Sequence, residues 1–293
     1  MAMLLFGKPV AEKLNEDIKH RVAILREQGI MPVLAFIRCG ENKADISYES
    51  SAERLAGELG IGIKKFCFPG TVSREELLSA IDEINSDKSI HGCLMFRPLP
   101  AHLSEYRDEI CNQLEPAKDV DCMTDISNAA VYTGMQHGFA PCTAEACMQI
   151  LDYYGVKCEG RNAVVIGRSL VIGKPAAMLL LHRNATVSIC HSRSRKTQEL
   201  IRRADIVITA AGKLNSLTGE YVRADQTIID VSINWDENKP NSKGGFGAIA
   251  GDVKFDEVES VVNAITPVPG GVGAVTRSVL MDHVVHAAER IVS

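Results

Sequence analysis

The stretch NAVVIGRSLVIGKP, Asn162 to Pro175, decides the fold. Its apolar opening reads as a buried strand, a turn of the form Gly167-x-Ser169-x-x-x-Gly173 follows, and a helix begins directly after it. Glycines in such a place let the backbone turn tightly and approach a pyrophosphate, whose charge is met by free N–H groups at the helix start. The spacing departs from G-x-G-x-x-G, so a plain strand-to-helix turn stands as the alternative. The next strand, Ala185–Cys190, leads into His191-Ser192-Arg193-Ser194-Arg195-Lys196. A fold that prefers NAD usually places an Asp or Glu there for the ribose 2′-OH. A carboxylate would repel a 2′-phosphate, whereas Arg193 and the Ser192 hydroxyl would hold one, with Arg168 within reach. The pattern favours NADP over NAD. A solvated cationic helix start is the alternative, and it would sit poorly against the helix dipole.

Outward from this turn, β-rich runs alternate with helical patterns, as in βαβ units around a parallel sheet. The first part predicts strands at Val33–Arg38, Lys64–Phe68 and Gly92–Phe96, with helices at Asp45–Glu58, Arg74–Asn85 and Leu103–Gln113. After Pro141 come helix Ala144–Tyr154, strand Asn162–Gly167, helix Ile172–His182, strand Ala185–Cys190, helix Lys196–Arg203 and strands Asp205–Ala210 and Thr227–Ile233. Glu237–Gly251, polar and glycine-rich, reads as a surface excursion. A last amphipathic helix is expected over Val275–Val292. The fold class is thus α/β with two domains: residues 1–136 completed by helix 275–293, and a Rossmann-like domain over 137–274. The boundary is expected in Gly134–Thr143, where Gly, Pro and polar residues gather.

Composition limits the partners. The 293 residues are 46% hydrophobic, which supplies a core for each domain, and 32 Lys+Arg against 37 Asp+Glu give a net charge of −5 without a basic block. That excludes the electrostatic footprint of a nucleic-acid or anionic-membrane binder. Nine cysteines lie scattered without C-x-x-C or C-x-x-H spacing, several in apolar runs. They read as reduced thiols of a cytoplasmic protein, with neither a disulfide framework nor a metal site expected. The opening MAMLLFGK is too short for a secretory core, and no run approaches the ~18 apolar residues of a membrane span.

Several strings together resemble one family, the bifunctional methylenetetrahydrofolate dehydrogenase/cyclohydrolases. They are RPLP (97–100), KDVD (118–121), PCT (141–143), GRSLVIGKP (167–175), CHSRS (190–194), DVSIN (230–234) and ITPVPGGVGAVT (265–276), in the family's order along essentially the whole chain. The resemblance implies an N-terminal α/β catalytic domain and an NADP-binding domain, with a folate in the cleft between them, in a homodimer. It implies Tyr48 against the pterin and aminobenzoate rings and Asp121 holding the pterin. A carboxylate suits that role, since it accepts two parallel hydrogen bonds from an aminopyrimidinone. Without the family, Tyr48 reads as a half-exposed helix tyrosine and Asp121 as a loop or cap carboxylate. The resemblance also assigns Pro269, Gly270 and Gly271 to the folate, and Gly167, Arg168, Ser169, Gly173, Ser192, Arg193, Gly212, Ile233, Gly273 and Thr276 to the cofactor. The loop Pro267–Gly273 suits close approach to a ligand, its prolines fixing entry and its glycines opening backbone shapes closed to other residues. A structural linker is the alternative there.

The chain departs from the family's pattern at named places. A lysine four residues after the tyrosine is Ala52 here, and a glutamine before the P-L-P turn is Phe96. Tyr48 and Ala52 remain i and i+4, so the helix face survives while its amine has gone. Cys122, Ser232, Ala144 and Ala274 stand where glycine, glycine, proline and proline are usual. Dehydrogenation needs positioning and accommodation of a cationic product. Cyclohydrolysis moves protons between nitrogens and calls for a group titrating near neutrality, worth roughly 10²–10⁴-fold. Arg54 and Arg97 are close in sequence but cannot serve, because guanidinium keeps its proton. The expectation is an NADP-dependent methylenetetrahydrofolate dehydrogenase with cyclohydrolase activity weak or lost. A non-catalytic folate or dinucleotide sensor or dimer partner, and a dehydrogenase on another substrate, are the competing readings.

Overall fold

A computed structural model describes residues 1–134, 138–241 and 245–291. The 136/137 domain boundary, positions 242–244 of the expected surface excursion, and Val292 and Ser293 at the end of the expected last helix lie outside the described residues. In chain order the first elements are β1 (Met3–Leu4), α1 (Gly7–Glu27), β2 (Val33–Cys39), α2 (Lys43–Leu59), β3 (Gly62–Phe68), α3 (Arg74–Ser86), β4 (Gly92–Met95), α4 (Arg107–Gln113) and α5 (Asp125–Thr133). Then come α6 (Cys142–Tyr153), β5 (Asn162–Ile166), α7 (Gly173–His182), β6 (Thr186–Cys190), α8 (Thr197–Arg203), β7 (Ile206–Thr209) and β8 (Thr227–Asp230). The chain closes with β9 (Asn234–Pro240), β10 (Phe246–Ala250), α9 (Phe255–Glu259), β11 (Ala264–Ile265) and α10 (Thr276–Glu289).

Two compact units emerge, one of Lys13–Cys142 with the chain from Arg277 onward, the other of Met1–Glu12 with Thr143–Thr276. The sequence placed residues 1–12 in the first domain, and in the structure they cluster with residues 143–276. β1 pairs in parallel with β11, Met3 opposite Ala264 and Leu4 opposite Ile265, so the chain's start completes the other unit's sheet.

In the first unit a parallel sheet runs β3-β2-β4. β2 is the continuous apolar run VLAFIRC, buried along its middle as a strand covered on both faces must be. Leu77, Ile81 and Ile84 of α3 pack on it with Ile37, Cys93 and Met95. Local signals set the helix starts. Asn42 accepts from the Ala44 amide at α2, and Ser73 with Glu76 forms a reciprocal capping box at α3. Gly92 lies where a Cβ would fall 2.6 Å from Val120, leaving no room for a side chain between β4 and the 116–122 segment. The helix expected over Leu103–Gln113 is divided, a 3₁₀ turn Ala101–Tyr106 preceding α4.

The second unit holds a six-stranded, wholly parallel sheet in the order β1-β11-β8-β7-β5-β6. The chain leaves β5 for β6 on one side and crosses back to β7 on the other, so the topological switch lies beside β5, where open α/β sheets bind ligands outside the strands' carboxyl ends. The stretch expected as a surface excursion is instead largely an antiparallel hairpin, β9 with β10. Its Ile233, Trp235, Phe246 and Ile249 are exposed. No described helix is long and apolar enough to cross a membrane.

Candidate functional site

Because every strand of the six-stranded sheet is parallel, the segments that follow β5, β6, β7, β8 and β11 leave from one edge. The expected cofactor residues all stand on these segments: Gly167 to Gly173 after β5, Ser192 and Arg193 after β6, Gly212 after β7, Ile233 after β8, Gly273 and Thr276 after β11. Gly167 has φ +134°, and a Cβ there would sit 2.3 Å from the Ala210 carbonyl oxygen. At Gly173 a Cβ would meet the Gly167 carbonyl oxygen at 2.4 Å. Both positions therefore require glycine, one for its conformation and both for space. The Ser169 hydroxyl accepts from the Ile172 amide at 3.2 Å and the Gly173 amide at 3.4 Å. Two of the amides expected to be free for a ligand are thus held, at long range, by a side chain that shapes the start of α7.

Ser192 and Arg193 are exposed on the turn after β6. Its backbone is fixed by the Arg193 amide donating to His191 Nδ1 and the His191 amide to Ser194 Oγ. Arg168 is exposed beside the glycine turn, and no described residue forms an ion pair with it or with Arg193. The two guanidinium groups that the sequence singled out are therefore free to meet a phosphate. The loop Pro267–Gly271 follows β11. Its Gly270 has φ +107°, its Gly271 has Pro267 oxygen 2.6 Å from where a Cβ would stand, and Pro269 and Gly270 are exposed.

Asp252 was not legible in the sequence as a site residue. It is wholly buried and its carboxylate accepts from three successive amides, Ala211 at 2.7 Å, Gly212 at 3.2 Å and Lys213 at 2.8 Å. The Ser232 hydroxyl at 2.8 Å and the Asn234 amide at 3.0 Å complete its shell. Ser232, which stands where the family has glycine, thus pins the same turn, since its oxygen also accepts from Gly212 N at 3.2 Å. Gly212 can consequently face a ligand only through its Cα and carbonyl. Beneath it, Asp230 accepts from Thr209 Oγ1 and the amides of Asp252 and Val253, each at 3.0 Å. Burial pushes its carboxyl up to about 6, with the charge of Asp252 adding to the push.

The second cluster lies in the other unit. Tyr48 stands on α2, and Ala52, one turn on, is fully buried. Phe96 follows β4 with its amide on the Ile37 carbonyl. Its ring is 6.0 Å from that of Tyr48, edge to face, and 5.9 Å from that of Phe36. The positions of the family's lysine and glutamine are thus filled by a buried methyl group and an aromatic ring. Asp121 projects from the 116–122 segment. Its Oδ1 accepts from the Cys142 amide at 3.1 Å, and its Oδ2 lies 3.5 Å from Arg97 Nη2. Burial pushes the Asp121 carboxyl up, against the opposing Cys142 amide and Arg97. Burial likewise pushes up the Tyr48 hydroxyl, and the neighbouring Cys142 and Asp121 add to it. Tyr48 is therefore a protonated donor at ordinary pH and no base. Sequence reasoning set Arg97 aside and missed Arg277, which heads α10 and donates to Ser51 Oγ at 3.3 Å. Cys122 takes φ +57°, a conformation that favours the glycine usual in the family. Ala144 lies buried in α6. Among the described residues no lysine or histidine bonds to Tyr48, Arg97 or Asp121, and no cluster of three or more His, Cys, Asp or Glu could hold a metal.

Comparison with known proteins finds one family along the chain. Residues 5–121 match the tetrahydrofolate dehydrogenase/cyclohydrolase catalytic domain, and residues 141–292 match that family's NAD(P)-binding domain. The bifunctional protein FolD of Carboxydothermus hydrogenoformans is 46% identical over 289 residues, 99% of this chain and 98% of that one. The crystal structure of bifunctional FolD from Campylobacter jejuni superposes with a TM-score of 0.92 at 36% identity, covering 99% of this chain and 100% of its own. The Trypanosoma brucei enzyme, solved with NADP and an inhibitor, gives 0.90 at 30% identity over 99% and 98% of the two chains.

Proposed function

The chain belongs to the tetrahydrofolate dehydrogenase/cyclohydrolase family, and from that premise we propose that it is an NADP-dependent 5,10-methylenetetrahydrofolate dehydrogenase whose 5,10-methenyltetrahydrofolate cyclohydrolase activity is weak or lost. One observation carries the division between the two reactions: the position of the family's lysine is a fully buried Ala52, and that of its glutamine is Phe96, whose ring lies edge to face with Tyr48.

When bound, NADP supplies the hydride acceptor. Gly167, Ser169 and Gly173 form the turn that would hold its pyrophosphate, Ser192, Arg193 and Arg168 would take the 2′-phosphate, and Gly212, Ile233, Gly273 and Thr276 would line the rest. The turn's exposed residues Arg168 to Val171, ahead of the ten-residue helix α7, fit such a group. On the folate side Tyr48 offers a ring face and a hydroxyl that keeps its proton. Asp121 offers two oxygens, each with a lone pair beyond the one already engaged, so it can still accept a parallel pair of N–H bonds. Pro269, Gly270 and Gly271 would meet the folate from their own loop. Loss of hydride leaves a cation on the substrate, a step that calls for positioning and a nearby counter-charge such as the Asp121 carboxylate rather than for a proton carrier. Ring opening by water needs protons moved between nitrogens, and neither Ala52, Phe96 nor an arginine does that.

The same reading makes the protein a cytoplasmic homodimer without nucleic-acid or membrane partners. Its net charge of −5 and nine free cysteines support the compartment and the absence of polyanion binding. The exposed Trp235, Phe246 and Ile249 of the β9–β10 hairpin offer an apolar surface for a second copy. Two assays on the purified chain test the proposal. Reduced cofactor should accumulate from methylenetetrahydrofolate with NADP and more slowly with NAD, while methenyltetrahydrofolate should disappear no faster than without enzyme. A flat trace with both cofactors refutes the dehydrogenase, and brisk hydrolysis refutes the loss.

A further inference from the structure

The Arg97 side chain supplies the charge in this cluster that the reaction as described leaves unused. We infer that Arg97 and Asp121 together form a recognition edge, two acceptors beside one donor, that selects ligands presenting a 2-amino-4-oxopyrimidine edge and rejects those with an amino group at the 4-position. The inference rests on the proposed folate site and deepens it.

The geometry is local to one unit. Phe96 ends its strand with its amide held by Ile37, so the next residue, Arg97, leaves the sheet toward the segment that carries Asp121. Its Nη2 stands 3.5 Å from Asp121 Oδ2, and both side chains keep about a quarter of their surface open, 28% and 23%. The contact is long for a hydrogen bond, so the guanidinium retains donors to share. The Cys142 amide, 3.1 Å from Oδ1, fixes the other end of the carboxylate. An aminopyrimidinone edge carries in sequence an exocyclic amine, a ring N–H and a carbonyl oxygen. The first two suit the carboxylate and the third suits a guanidinium N–H beside it. Replacing the carbonyl by an amine sets a donor against a donor, and a buried polar group left unpaired is the strongest basis for rejecting an analogue.

Arg97, after the Cys142 amide, also helps keep the carboxylate charged. Asp121 is faced by Asp119 and Cys122 on its own segment, by Tyr48 on α2, by Cys142 on α6 and by Arg97 after β4. From α10, His283 bonds to Val120 O and Arg277 to Ser51, neither to Asp121. Asp119, buried and engaged with the Met123 and Thr124 amides, pushes Asp121 toward protonation. Arg97 is the cation among these groups that opposes it. A protonated Asp121 would present a donor where the ligand also has one.

The test is equilibrium binding of folate and of its 4-amino analogue, followed by quenching of protein fluorescence, to the wild-type chain, Arg97→Leu and Arg97→Lys. Wild type should prefer the 4-oxo compound by about tenfold or more, the worth of one charge-assisted bond gained and a repulsion avoided. Arg97→Leu should erase that preference and, on acidification, should lose folate affinity at a higher pH than wild type does, whereas Arg97→Lys should keep most of both. Equal preference in wild type and Arg97→Leu, in a chain that oxidises methylenetetrahydrofolate, overturns this inference and leaves the reaction standing. The predicted selectivity without turnover keeps the recognition edge and sinks the reaction. Binding of neither compound overturns both.

Discussion

Restoring the two missing polar groups is the most demanding check on the functional reading. In Ala52→Lys an ammonium enters a fully buried position one helical turn from Tyr48. Stranding that charge should destabilise by several kcal/mol or drive the amine's pKa down by up to 3–5 units. In Phe96→Gln two ring contacts go, at 5.9 and 6.0 Å. At about 0.5–1.5 kcal/mol each they amount to about 1–3 kcal/mol, and a carboxamide without a partner adds ~1–3 kcal/mol. In the double variant the amide oxygen can accept from the ammonium, so the two penalties should fail to add, with a coupling of about 1–3 kcal/mol favouring the pair. Urea unfolding of the four proteins measures that coupling. Loss of methenyltetrahydrofolate absorbance measures hydrolysis, which should rise by roughly 10²–10⁴-fold only in the double variant. Additive stabilities and unchanged hydrolysis in a folded double variant would refute the reasoning, and would shift attention to Cys122 and Ala144.

Gly173→Ala puts a methyl group 2.4 Å from the Gly167 carbonyl oxygen. The turn must open, so KM for NADP should rise at least tenfold while folate binding to the other unit stays unchanged; equal effects on both ligands would count against a local nucleotide turn. Asp230, held up at about 6 in the folded chain against an ordinary 3.8, keeps a proton that the unfolded chain has released. Its contribution to stability is therefore full below about pH 4 and is lost as pH rises through 6, a change of about 3 kcal/mol from a shift of roughly two units. Denaturant titrations should show wild type losing that stability relative to Asp230→Asn between pH 4 and 7, and parallel curves would exclude it.

The sheets were legible because their strands are unbroken apolar runs between turn signals: VLAFIRC, GCLM and NAVVI need no tertiary knowledge. α1 has no counterpart among the expected elements, although Val10, Ile18, Val22 and Leu25 recur at helical spacing. β9 had no such signal. Its residues alternate between partly buried and exposed, so the ladder to β10 holds it and not an apolar face. β1 is two residues long, and only pairing with a strand some 260 positions away makes it one. In the sites, the glycines declared themselves because their roles are local. Asp252 reaches a turn some 40 residues away and Arg97 reaches Asp121 across the 98–120 segment, and no spacing announces either.

The carboxylate of Asp252, cradled by the Ala211, Gly212 and Lys213 amides, gives that turn an internal anion of its own. Successive N–H groups aimed at one point would otherwise compete for phosphate, chloride or any passing acid. With those amides engaged from within, the turn keeps its shape whether or not a nucleotide is near, and the phosphates of an arriving dinucleotide are left to the turn after β5 and to the Ser192–Arg193 turn after β6. Register along the pocket is thereby settled before the ligand comes.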